Sequence, residues 1–235
     1  MKKYITLLLL ILFASCNNEV EIYITKVSGS PEYGNAKLSL ENPIISEDGY
    51  EFSFSVDQYE LGIQTLKDFE YSLANSAKGQ HIHFIVNNDP YSAHYNKKFS
   101  KKLQGDSNVI LAFLSRSYHE SVKNKNAFVL TQLGEQKIDL NNEFLFYSRP
   151  KGTYKGSDTE KLLLDFYLIN TEISADGNKV KATIQEKEFI IDEWAPYYIE
   201  GLAKGEVKIK LELIDASGNL IDTPFNPSER TVILE

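Results

Sequence analysis

Tyr50-Glu51-Phe52-Ser53-Phe54-Ser55-Val56 alternates an apolar or aromatic residue with a polar one over seven positions. Successive side chains of an extended chain point to opposite faces, so this period of two makes a strand with one buried and one wetted face. The same alternation recurs at Ile82-His83-Phe84-Ile85-Val86, at Val109, Leu111 and Phe113, and at Val207, Ile209, Leu211 and Leu213. Turn-forming clusters separate the runs: Glu47-Asp48-Gly49, Asn88-Asp89-Pro90, Gly105-Asp106, Ala175-Asp176-Gly177-Asn178 and Ser217-Gly218-Asn219. Ile63, Leu66, Phe69 and Leu73 fall at roughly helical spacing and allow one short helix. With 14 Tyr and 13 Phe, residues that pack well on a pleated surface, the chain reads as all-β.

The pattern occurs twice. Leu38-x-Leu40-x-x-Pro43 matches Leu145-x-Tyr147-x-x-Pro150, and Phe54-Ser-Val56 with Glu60-Leu61 matches Phe166-Tyr-Leu168 with Glu172-Ile173. Ile82-x-Phe84-x-Val86 matches Val180-x-Ala182-x-Ile184. Gly105, Val109, Leu111 and Phe113 match Gly205, Ile209, Leu211 and Leu213 at a constant offset of 100, and Ala127–Leu130 matches Thr231–Leu234. A period of about 100 residues fits a β-sandwich domain. The expectation is two tandem immunoglobulin-like β-sandwich domains, at 20–135 and 136–235, with one larger β-domain as the alternative. The second repeat, roughly residues 143–235, is expected to supply its own core and fold alone.

A lipoprotein signal peptide precedes them. Lys2 and Lys3 form a basic n-region, and Ile5 to Phe13 an apolar run too short to span a bilayer, which needs about 20 residues. Ala14 and Ser15 lead to Cys16, the only cysteine. Phe13-Ala14-Ser15-Cys16 resembles a bacterial lipobox. That resemblance implies cleavage after residue 15 and lipidation of Cys16. Residues 16–19 then form the lipidated Cys and a polar tether. The expected location is the cell envelope, lipid-anchored at the outer membrane and facing the periplasm or the cell surface. Without Lys2 and Lys3 the chain keeps 23 basic residues against 33 acidic, a formal charge of −10. That balance excludes bulk nucleic-acid binding, which needs phosphates neutralised by Lys and Arg.

Candidate functional residues concentrate in the first repeat, which holds all four histidines. The aligned positions of His83 and His119 carry Lys181 and Asn219, so the fold does not require histidine there. His81 and His83 share one strand face. A two-residue Asn88-Asp89 turn would set His94 directly across from His83, and three imidazoles would converge as a Zn or Cu site. Arg116, Ser117 and His119 form a polar cluster suited to a phosphate or carboxylate, and Ser117 with His119 also suggests a nucleophile and base. No third residue or Gly-x-Ser-x-Gly turn supports that pair, so no enzyme is expected. Arg149-Pro150-Lys151-Gly152 begins a basic loop in an acidic protein, and loops on rigid sandwiches often carry binding. The leading expectation is therefore a non-enzymatic binding or structural module without cofactor. Its partners are the membrane, through Cys16, and an unidentified envelope protein or small ligand. Zn or Cu binding is the alternative.

Several stretches together resemble one family: Gly79-Gln80-His81-Ile82-His83, Ala112–Ser121, Tyr147–Gly152, Leu163–Tyr167 and Trp194–Leu202. They are similar to a group of uncharacterised bacterial envelope lipoproteins with tandem β-sandwich repeats, sometimes labelled phosphopeptide-binding. The resemblance covers most of the mature chain and implies an envelope location, with no established activity.

Overall fold

The computed structural model describes residues 21–47, 49–66, 74–135 and 137–235. Cys16 and the signal segment lie outside the described residues, as do Phe69 and Leu73 of the expected helix. Ile63 and Leu66 of that helix are exposed and not helical.

The first unit contains β2 (Lys37–Leu40), β3 (Ile44–Ser46), β4 (Gly49–Asp57), β5 (His81–Val86), β6 (Ser92–His94), β7 (Lys98–Lys101), β8 (Ser107–Ser115) and β9 (Phe128–Gly134). In one sheet β4 pairs with β2, β3 and β7; the other has the order β6-β5-β8-β9. The second unit contains β10 (Phe144–Arg149), β11 (Thr153–Tyr154), β12 (Leu162–Ile169), β13 (Lys179–Ile184), β14 (Lys187–Ile191), β15 (Tyr197–Glu200), β16 (Gly205–Ile214) and β17 (Ser228–Leu234). With the N-terminal strand β1 (Tyr23–Lys26), its sheets run β1-β15-β12-β10 and β11-β17-β16-β13-β14. Setting aside β1, β3 and β11, both units have the same seven strands. The first, second and fifth form one sheet; the fourth, third, sixth and seventh form the other. That arrangement is the immunoglobulin-like sandwich expected from the repeats. β1 lies within the 20–135 span yet is hydrogen-bonded to β15 of the second unit, Tyr23 opposite Glu200 and Lys26 opposite Tyr197.

Each sandwich encloses its own core. Leu38, Phe52, Phe54, Ile82, Phe84, Ile110, Ala112 and Leu114 fill the first. Leu145, Phe166, Val180, Ala182, Ile209, Leu211 and Leu213 are among those filling the second. The constant offset of 100 is therefore corrected by one residue. Leu114 is the register partner of Ile82, and Leu213 that of Val180. Val109, Leu111 and Phe113 face the other way, and Ile110, Ala112 and Leu114 form the core face.

The displaced face builds a third core between the units. Ile85, Val109, Leu111 and Phe113 pack against Phe144, Phe146, Tyr167 and Ile169, all essentially inaccessible to water. The Phe113 and Tyr167 rings stack at 4.7 Å, and Trp194 meets Tyr167 edge-on at 5.1 Å. Asp165, fully buried on β12, pairs with Lys123 of the first unit at 2.5 Å and accepts from the Ser121 hydroxyl at 2.9 Å. A sheet face that is apolar on both units and dry in between is a core in its own right. It fixes the two sandwiches against each other and positions the residues described next.

Candidate functional site

Burial of the seam face explains why His81 and His83 meet other side chains there. β5 turns Ile82 and Phe84 into the first core and His81 and His83 toward the seam, where both rings are fully buried. The β8–β9 connection then folds back over this face. The amide of His119 donates to the Arg116 carbonyl at 2.9 Å, and that of Arg116 to the Glu120 carbonyl at 2.8 Å. His119 sits at the tip with φ of 70°, in the left-handed region. Its Nδ1 comes within 3.0 Å of His81 Nε2 and 3.2 Å of the Tyr91 hydroxyl. His83 Nδ1 lies 3.3 Å from Ser148 Oγ of the second unit, and its Nε2 is buried with no hydrogen-bond partner. One ligand nitrogen from each of His81, His83 and His119 lies within 4.8 Å of the others.

His94 does not join them. It is the register partner of Ile82, not of His83, and its ring stacks on Phe99 at 3.4 Å while Nε2 meets Ser92 Oγ at 2.8 Å. The reason is the turn. Asn87 and Asn88 both have positive φ and Pro90 follows Asp89, so the connection is one residue out of step with a two-residue hairpin. A slip of one residue reverses the face of every side chain beyond it. The histidine facing His81 comes instead from a loop whose path strand periodicity does not encode.

Burial also sets the protonation of the cluster. An imidazolium loses its hydration in an apolar seam, so desolvation holds His81 down to about 4 and His83 well below its usual value. Desolvation likewise drives His119 far down, helped by Arg149 and its neighbours. All three rings are neutral at pH 7.

Cations lie on the other side of Tyr91. The His83 ring stacks on Tyr91 with centroids 3.5 Å apart and fills one face; the Lys151 ammonium, 4.0 Å from the same centroid, takes the opposite face. Lys151 donates to the Tyr91 carbonyl at 2.8 Å. Arg149, at the end of β10, donates to the Tyr154 hydroxyl at 2.8 Å, and its Nε is buried without a partner. Arg230 of β17 lies 4.4 Å from the Tyr147 centroid and donates to the carbonyls of Ser148 and Asn88. None of the three makes an ion pair among the described residues. Burial, with Arg149, Arg230 and Lys101, lowers Lys151 to about 8. Between Lys151 and Arg230 a cleft of about 310 Å³ opens, lined also by Asn88, Asp89, Gly152 and Glu229.

Arg116 and Ser117 are occupied differently from the sequence expectation. Arg116 pairs with Glu120 at 2.9 Å and donates to the carbonyls of Pro31 and Ser121. Its guanidinium is thus engaged in fastening the loop. Ser117 exchanges hydrogen bonds with Thr65, its Oγ accepting at 3.3 Å and its amide donating at 2.9 Å. His119 turns to His81 instead, and Ser117 and His119 do not pair. Arg230 escaped the sequence reading altogether. It lies on an alternating strand of the second repeat, where a single charged residue reads as a wetted face.

No protein-family model and no curated protein matches the chain. Among solved structures it is similar to the fibronectin(III)-like modules of Clostridium thermocellum CbhA, at 12% identity and a TM-score of 0.31, covering 84% of this chain and 94% of that one. It is also similar to the two tandem V-type regions of VCBP3, a v-region-containing chitin binding protein, at 7% identity and a TM-score of 0.23, covering 91% and 99%. The strand order, not these distant likenesses, carries the assignment of the fold.

Proposed function

We propose that this chain is a lipid-anchored, non-enzymatic binding protein of the bacterial envelope, and that the cleft between Lys151 and Arg230 seats an anionic group of its ligand. One observation carries the reading. Three buried or half-buried cations, Arg149, Lys151 and Arg230, converge without a carboxylate partner among the described residues, in a chain that is acidic overall. Aromatic faces and carbonyls hold them, and buried charge is usually paired. A carboxylate or phosphate entering the cleft would supply the missing charge, with Arg230 and Lys151 as donors. Asp89 and Glu229 at the exposed rim favour a singly charged group.

The test is calorimetric titration of the mature chain with acetate and with inorganic phosphate at low ionic strength. Binding of at least one anion is expected, with affinity falling at least tenfold in Arg230→Gln and in Lys151→Gln and declining with added salt. Indifference to both substitutions would remove the cleft from consideration. Anchoring is tested separately. Cys16→Ser should move the protein from the membrane fraction to the soluble fraction, since stable attachment takes two acyl chains at about 0.8 kcal/mol per buried CH₂. Membrane retention of that variant would count against the anchor.

A further inference from the structure

The three-imidazole cluster has no part in the anion cleft, and Tyr91 separates the two. We propose that His81, His83 and His119 form a metal site for Cu(I), in preference to Zn(II). Three features of the cluster carry this.

The first is the set of lone pairs. His81 Nδ1 lies 2.8 Å from the Gly79 carbonyl and must donate to it, which leaves Nε2 as a bare lone pair aimed at His119. Fixing one ring nitrogen by a backbone carbonyl is how metal-ligating histidines are oriented. His83 offers a second nitrogen, Nε2, buried and without a partner. A buried polar atom left unpaired is destabilising, and a metal ion at the centre removes that cost. His119 Nδ1 shares a proton with His81 Nε2. It becomes a ligand when that proton moves to its own Nε2, so binding needs no net proton loss.

The second is room and access. Three nitrogens about 2 Å from one ion sit about 3.3–3.6 Å apart. His81 and His119 are at 3.0 Å, and the whole set lies within 4.8 Å. His119 is on a turn and is the one ring of the three not fully buried. Side-chain adjustment on that turn lets the set open to metal-ligand spacing around an ion entering from that side.

The third is charge, which selects the ion. The Lys151 ammonium and the Arg149 guanidinium lie 4.0 and 5.5 Å from the centroid of Tyr91, the ring on which His83 stacks, and both repel a cation. Among the described residues no carboxylate or thiolate joins the set to offset this. A divalent ion feels the repulsion twice as strongly as a monovalent one. Neutral imidazoles beside two cations therefore suit the monovalent Cu(I), for which imidazole is a ligand, better than the divalent Zn(II).

The experiment uses the mature chain carrying Cys16→Ser, because a free thiol would itself bind Cu(I). Anaerobic titration against a chromophoric Cu(I) chelator should give one ion per chain, and X-ray absorption should show nitrogen and no sulfur scatterers. His119→Ala should weaken Cu(I) at least a hundredfold, with His94→Ala unchanged. Lys151→Gln should strengthen binding on the order of tenfold for Cu(I) and a hundredfold for Zn(II). Thermal melts confirm that each variant is folded, and the wild-type absorption spectrum stands even where one is not. The proposal fails if wild type binds no stoichiometric Cu(I), if His119→Ala binds as well as wild type, or if Zn(II) binds more tightly than Cu(I). The anion titration reads a different site, so either result can stand without the other.

Discussion

Acidification from pH 7.5 to pH 5 is expected to cost the metal-free protein at least about 2 kcal/mol of folding stability. Three buried imidazoles cause the loss. In the unfolded chain each titrates near 6.5 and is almost fully protonated at pH 5. In the folded chain desolvation holds His81 at about 4, and His83 and His119 are also pushed down. The unfolded state therefore binds more protons between these values. Stability is at its full level above about pH 6.5 and falls as pH drops toward 4. One and a half pH units below 6.5 is worth about 2 kcal/mol for His81, and His83 and His119 add to it in the same direction, against a total of about 5–15 kcal/mol for a typical domain. Urea unfolding at the two pH values, in the presence of a chelator, measures the difference. His83→Phe, which keeps a flat ring against Tyr91 and Phe113, should remove part of the loss. His94, partly open to solvent, adds a smaller and screened share. Equal midpoints at pH 7.5 and pH 5 would show that the rings protonate freely and that the seam admits water.

Much of the fold could be read from the sequence because alternation and turn chemistry are local. Phe52 and Phe54, or Val180, Ala182 and Ile184, point to one buried face whatever lies beyond them. The reading failed where a strand is buried on both sides. From Val109 to Leu114 every side chain is apolar, so a period of two cannot say which half faces the sandwich and which the seam. Taking Val109, Leu111 and Phe113 as the core face sets the offset between the repeats one residue wrong. The pairing of β1 with β15 is non-local and left no local mark. For the site, His81 and His83 were placed together correctly because i and i+2 share a face. His94 was misplaced because two left-handed Asn residues and Pro90 altered the hairpin register. His119 joined the cluster through a loop tip, and Arg230 through the seventh strand of the other unit. Burial of Arg149 among Tyr91 and Tyr154 is likewise a property of the assembled seam.

The second repeat expressed alone, as residues 136–235, should fail to fold as a stable monomer, contrary to what its internal pattern suggests. Its own core is complete in sequence, with Leu145, Phe166, Val180, Ala182, Ile209, Leu211 and Leu213. Two things are missing. The fragment lacks β1, which pairs with β15 over four residues and brings Ile22 and Ile24 against that core. It also exposes the seam face of β10 and β12. Phe144, Phe146, Tyr167 and Ile169 are 3% accessible or less in the whole chain. Leaving each in water forfeits about 1.5–3 kcal/mol, or roughly 6–12 kcal/mol for the four. That is comparable to the whole stability of a domain of this size. The same four side chains form a contiguous apolar patch that should drive self-association. Size-exclusion chromatography and thermal circular dichroism should therefore show an unfolded or oligomeric fragment, while the mature chain melts in one cooperative step. Replacing Phe144, Phe146 and Ile169 by Thr or Ser in the fragment should restore solubility, because it removes the patch and spares the core. A monomeric fragment melting within a few degrees of the intact protein would mean that the seam merely rests one sandwich on the other. In that case the buried imidazoles and cations could be reached by hinge motion of the two units, and rigidity at the seam would not be what holds His83 beside Ser148.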